Sequence, residues 1–171
     1  MKKFVFAVVA LVLAAQAAPA AAASYKDRQG GFGAQFGLGF DVFGGDAGFS
    51  MAGAAEAFLT KEVSLVPRFT IDIHDGANIY TITGDLRYTL DLQGAERLQP
   101  FAEIGAGVAF LDADAANANE TAFQFEFGGG ANYYVADNVA LGTEMLFTFP
   151  IDMWTEDFLW QWQVVTARVL F

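Results

Sequence analysis

Ser50, Asp72 and His74 supply the residue types of a nucleophile, an orienting acid and a base, and they lie close together in the chain. His74 is the only histidine. If the chain reverses at Lys61-Glu62, Ser50 stands directly across an antiparallel pair from His74. Asp72 then shares the His74 strand face, two residues away. A trio of this kind is the equipment of a hydrolase. No motif surrounds it, and on the reading below it points away from lipid, so no residue is assigned as catalytic.

A second constellation is ionic. Arg68, Arg87 and Arg168 share the polar face of their segments with Glu56, Asp72, Asp85, Glu103, Glu126 and Glu144, and His74 falls on that face too. Charges removed from water need partners, so this set has the makings of a buried ion-pair network. A reversal over Asp75–Asn78 sets Arg68 opposite Asp85. One centred on Ala95 sets Arg87 opposite Glu103, and Arg68 also comes within reach of Glu56. Such a network either plugs and stiffens an interior or lines a narrow, gated ion path.

A third group is acidic throughout: Asp41, Asp46, Asp75, Asp112, Asp114, Glu120, Asp152, Glu156 and Asp157, with no Lys or Arg in the same segments. Hard cations such as Ca²⁺ or Mg²⁺ prefer carboxylate oxygen, but no spacing resembles an EF-hand loop. Hydration of exposed loops, or contact with a cationic partner, accounts for the acids equally well. The chain has no cysteine, which excludes disulfides, thiolate metal sites and cysteine nucleophiles. No metal or cofactor is assigned.

The elements that position these residues announce themselves by alternation. Phe32, Ala34, Phe36, Leu38, Phe40 and Val42 fall on one face of a segment whose other face is Gly33, Gln35, Gly37, Gly39 and Asp41. The pattern predicts eight strands, at 30–42, 46–60, 63–74, 79–90, 100–110, 121–135, 139–149 and 159–171. Turn signals separate them at Gly44-Gly45, Thr60-Lys61-Glu62, Asp75-Gly76, Gly94 and Asp137-Asn138. The eighth segment changes phase: Trp160, Trp162 and Val164 have one parity, Val165, Ala167, Val169 and Phe171 the other. Either a bulge at Val164-Val165 restores one face, or Gln161 and Gln163 stand beyond the hydrocarbon.

Which face is outside decides the class. An eight-stranded interior is just wide enough for side chains to fill, and it has no room for this many Phe, Tyr, Trp and Leu. With the aromatics turned to lipid and the glycines and charges turned inward, no edge strand is left open. The expected fold is therefore all-β: an eight-stranded antiparallel up-and-down transmembrane β-barrel. Tyr80, Tyr133, Phe149, Trp160 and Phe171, near strand ends, fit interfacial girdles.

The chain resembles the small outer-membrane barrels of Gram-negative bacteria, the OmpA/OmpX-like superfamily. The stretch from Phe127-Gly-Gly-Gly-Ala-Asn-Tyr-Tyr to Met145 looks like that group's penultimate periplasmic hairpin. Terminal Phe171 with Val169 resembles the signal read by the barrel-assembly machinery, although Thr166 stands where Gly is common. The resemblance implies periplasmic termini, with loops near 43–45, 75–78, 111–120 and 150–158 facing out and turns near 61–62, 91–99 and 136–138 facing in. It also leads us to expect that OmpA's peptidoglycan-binding domain is missing.

Ahead of the strands, Lys2-Lys3, an apolar run from Phe4 to Leu13 and the small residues Ala21-Ala22-Ala23 form a secretory leader. Residues 1–23 are expected to be cleaved, leaving residues 24–171 as the barrel domain. Without the two leader lysines, seven basic residues face twenty acidic ones, a formal charge of −13, which opposes nucleic-acid binding. A mean hydropathy of +0.34 is then explained by strands whose alternate side chains are apolar. The expected protein is a non-enzymatic monomer of the cell outer membrane that contacts lipopolysaccharide. Its role is structural or loop-mediated, with a small channel and a lipid hydrolase as the rival readings.

Overall fold

In a computed structural model, which describes residues 24–113, 118–151 and 158–171, the alternating segments form eight strands. They are β1 (Phe32–Phe43), β2 (Asp46–Phe58), β3 (Val63–His74), β4 (Ala77–Thr89), β5 (Leu98–Ala113), β6 (Ala118–Tyr134), β7 (Val139–Ile151) and β8 (Leu159–Leu170). Each pairs antiparallel with its sequence neighbour, and β1 closes on β8, so the sheet is a closed barrel. Closure leaves no row of unpaired amides, which is what permits strands to stand in hydrocarbon. Spanning takes about 9–11 tilted residues, and every strand has at least 12.

The apolar parity faces outward. Phe69, Ile82, Ile104, Phe123, Phe125, Phe127 and Leu141 are exposed, whereas Gln35, Arg68, Thr83, Arg87, Glu103 and Glu144 are buried. This inverts the arrangement of a water-soluble domain. It is stable only where the solvent outside is itself apolar.

Several boundaries differ from the sequence expectation. β5 and β6 run further, to Ala113 and from Ala118, because backbone pairing continues past the last apolar residue, where Asp112 pairs with Asn119. β2 stops at Phe58 rather than at Thr60, since the Leu59 and Thr60 amides both donate to the Val63 carbonyl and turn the chain. β1 starts at Phe32 because Gly30 and Gly31 instead exchange hydrogen bonds with Phe58 in a separate segment. Asp114 and the 152–157 portion of the predicted outer loop, including Asp152, Glu156 and Asp157, lie outside the described residues, as does the expected leader at 1–23.

The phase change in β8 is a bulge. Leu38 pairs with Val165 but Phe40 with Trp162, so Gly39 alone faces two residues. On the other side, Gly142 pairs with Thr166 and Glu144 with Gln163. Val164 and Val165 are both exposed, and every apolar residue of β8 from Trp160 to Val169 thereby reaches the outer wall. Thr143 sits at the bulge, donating to the Gln163 carbonyl at 3.0 Å and accepting from Trp162 Nε1 at 2.8 Å.

Residues 24–31 fold back across the end of the barrel where β1 begins and β8 ends. Tyr25 stacks on Tyr134 with centroids 4.8 Å apart, and its amide donates to the Asp137 carbonyl. The Arg28 guanidinium is buried there. It donates to the Tyr25 carbonyl at 3.0 Å, to Gln99 Oε1 and to the Lys61 carbonyl, and lies 3.4 Å from Asp91. Burial lowers its pKa, an effect that Asp91 opposes. Tyr25 joins Phe58, Tyr134, Ala140 and Leu170 in an apolar plug at this mouth.

Candidate functional site: an ionic lattice in the lumen

The centre of the lumen is occupied by two arginines. Arg68 of β3 reaches Glu144 at 2.7 Å, Glu103 at 2.9 Å, and Asp85 and Glu126 at 3.5 Å. Arg87 of β4 bonds Glu103 through Nε at 2.9 Å and Glu144 at 3.0 Å, with Glu56 at 3.8 Å. The two guanidiniums therefore share Glu103 and Glu144, forming a four-membered core that crosses the lumen from β3 and β4 to β5 and β7. Gln35 extends it, accepting from Arg87 at 3.0 Å and donating to Glu144 at 2.6 Å. Phe101 covers the Arg87 guanidinium at 4.1 Å. Towards the termini, Arg168 pairs with Glu56, which also accepts from Ser64 at 2.6 Å.

Strand register puts these groups in contact. Arg87 stands opposite Glu103, and Asp85 opposite Gly105. Gly105 is needed there: the Asp85 side chain lies across it, and a Cβ at 105 would come 2.8 Å from Asp85 Cγ. Long charged side chains fit in so narrow a cylinder only where a neighbour has given up its own.

Two register expectations are corrected. Arg68 pairs with Thr83 rather than Asp85, because β3 and β4 join through Asp75-Gly76 alone, with Gly76 at φ +78°, instead of a four-residue turn. The Arg68–Asp85 contact survives as a diagonal. Ser50 faces Asp72 rather than His74, since the β2–β3 turn centres on Lys61 and not on Glu62. The same shift sets Arg68 opposite Ala54. The expected Arg68–Glu56 reach is replaced by Glu56 contacts to Ser64, Arg87 and Arg168.

The Ser/His/Asp set is not assembled. Ser50 accepts from Gln163 Nε2 at 2.7 Å, and Asp72 accepts from Gln161 Nε2 at 2.7 Å. Asp72 thus belongs to a glutamine-lined layer beyond Arg68 and is bonded to no arginine among the described contacts. His74 pairs through Nε2 with Asp41 Oδ2 at 2.6 Å. Asp41 is fully buried, so it leaves the group of exposed loop acids to which its position near a strand end had assigned it. His74, expected at a solvated rim, is nearly covered. Among the described residues, no group of three or more His, Cys, Asp or Glu is arranged to hold a metal ion.

Sequence reasoning missed the Arg28 anchor, the Asp41–His74 pair and the role of the glutamines. Gln35, Asp41, Gln161 and Gln163 were readable by parity alone, since each sits on the polar face of its strand. Arg28 precedes the first alternating segment and had no periodic signal.

A closed cylinder with an oily wall and an ionic interior is an outer-membrane β-barrel. The chain matches the outer membrane protein beta-barrel domain over residues 6–153 and belongs to that family. Among solved structures it is similar to Neisserial surface protein A, at TM-score 0.68 and 16% identity over 82% of this chain and 96% of that one. It is also similar to the N-terminal β-barrel domain of Pseudomonas aeruginosa OprF, at TM-score 0.58 and 16% identity over 84% and 98%. A de novo designed transmembrane β-barrel gives 0.52 at 16% identity over 84% and 97%. At these identities the likeness is one of fold. No curated protein matches the sequence.

Proposed function

We propose that the protein is a non-enzymatic outer-membrane barrel whose work is done by its wall and outer loops, with a lumen held shut. The observation that carries this reading is the Arg68–Glu144–Arg87–Glu103 lattice, in which all four side chains are buried and the contacts run from 2.7 to 3.0 Å. An ion crossing the barrel would have to displace bonded charges from one another, and a stranded buried charge costs about 3–5 kcal/mol. The plug of Tyr25, Phe58, Tyr134, Ala140 and Leu170 backs the lattice at one mouth. Separation of Ser50 from His74, with Asp72 held by Gln161, speaks against a hydrolase.

On the same reading the Gly44-Gly45 and Asp75-Gly76 ends of the hairpins face outward. The exposed acids Asp46, Asp75, Asp112 and Glu120 then meet lipopolysaccharide or an external partner, and the protein acts as a monomer. The test is single-channel recording in planar bilayers. We expect no conductance steps above background; reproducible steps would replace this reading with that of a small channel.

A further inference from the structure

The lipid-facing wall is not uniform. At the Gly44-Gly45 end, two sets of aromatic rings stand apart on neighbouring strands. On one side, Phe127 stacks on Phe147 and Phe149 at 5.5 and 5.7 Å, and Phe149 stacks on Phe158 at 6.2 Å. On the other, Phe40 meets Trp160 and Trp162 edge-on at 5.6 and 5.4 Å. Strand register brings the sets side by side, with Val42 opposite Trp160 and Trp160 opposite Phe147. Between them lies a slot of about 520 Å³ lined by Val42, Gly44, Gly45, Met145, Phe147, Phe158 and Trp160.

Three features define what fits. Among the described residues the lining offers no charged side chain and, apart from the indole N–H of Trp160, no polar one, so the part of a ligand that enters is hydrocarbon. The wall is preformed: Trp162 is pinned by its bond to Thr143 at 2.8 Å, and Val42, Met145, Phe147 and Trp160 are half-buried against one another while belt residues such as Ile82 and Ile104 stand free. The slot is continuous with the membrane-facing belt and reaches the turn of two glycines, Gly44-Gly45. Next to that turn the exposed acid Asp46 gives an anionic headgroup no direct partner.

We propose that this slot is a seat for one acyl chain of an outer-leaflet lipid, held more tightly than the lipid around the rest of the barrel. The placement of its Gly44-Gly45 end rests on the outward orientation adopted above. Hydrocarbon gains little on passing from bilayer to protein by area burial alone. Preference for the seat therefore comes from a preformed groove and its ring contacts, and depends on the shape of the wall.

Native mass spectrometry of the full barrel released from dipalmitoylphosphatidylcholine-containing micelles tests this. The wild type should keep one lipid at collision energies that strip all others. Phe158→Ala removes one wall outside the strands, and Val42→Phe/Met145→Phe fills the slot from within. Each should lower the retained fraction about tenfold, the upper scale of one aromatic contact. Loss of all lipids together in the wild type would overturn the proposal, as would equal retention in both variants. Retention appearing only when residues 152–157 are deleted would also overturn it, by making this chain's own loop the occupant. Because the slot is on the outer wall, a conducting lumen would leave this result unchanged, so the two readings fail separately.

Discussion

Replacing Arg87 with Met keeps an unbranched stem under Phe101 but leaves Arg68 alone to serve Glu103 and Glu144, which now share two guanidiniums. Breaking a buried pair from one side costs about 3–5 kcal/mol. Arg87→Met should therefore lower the temperature of the heat-induced gel shift that marks barrel unfolding, and Arg87→Lys should restore only part, because an ammonium cannot serve Glu103, Glu144 and Gln35 in one plane. An unchanged shift temperature in Arg87→Met would mean the lattice bears no load. Parity made the Arg87–Glu103 pair legible, because a hairpin of alternating residues keeps both on one face whatever the exact register. The Ser50–His74 pairing failed for the complementary reason. Moving a turn centre by one residue changes the partner by two positions, so parity is kept while identity is lost. Asp41 shows a third limit: its parity was correct, but acidity near a strand end reads as loop unless the cross-strand histidine is known.

Strand by strand, the periodicity specified the barrel because lipid outside and a crowded lumen inside impose opposite polarity on successive residues. The bulge at Val164-Val165 was legible as a phase change, although sequence alone left it undecided against outward glutamines. Coordinates decide it through Gly39 and Thr143, each facing two residues of β8. The fold-back of residues 24–31 was not legible, since a single irregular pass across a mouth has no period. Its anchor is Arg28, which bonds back to Tyr25 and ties the segment to the turns at Lys61 and Asp91. Arg28→Ala should speed hydrogen–deuterium exchange at the amides of Tyr25, Gly30 and Phe58, which bond across this segment, and leave mid-strand amides in β3 to β6 protected. Uniform exchange across the whole barrel would show that the segment is no separate unit.

For the molecule as a whole, polarity is sorted by side of the wall, and on the proposed reading the interior is closed to both water and lipid. A chain with no cysteine permits that to be read position by position. Spin labels on single cysteines at Phe69 and Phe125, both exposed, and at Thr70 and Gln124, both buried, would sample each side of β3 and β6 in reconstituted bilayers. Power-saturation measurements should find labels at 69 and 125 relaxed by molecular oxygen, which concentrates in hydrocarbon, and not by a water-soluble nickel chelate. Labels at 70 and 124 should be relaxed by neither. Nickel reaching 70 or 124 would contradict the sealed lumen, and oxygen relaxing 70 and 124 more than 69 and 125 would contradict the orientation of the wall itself.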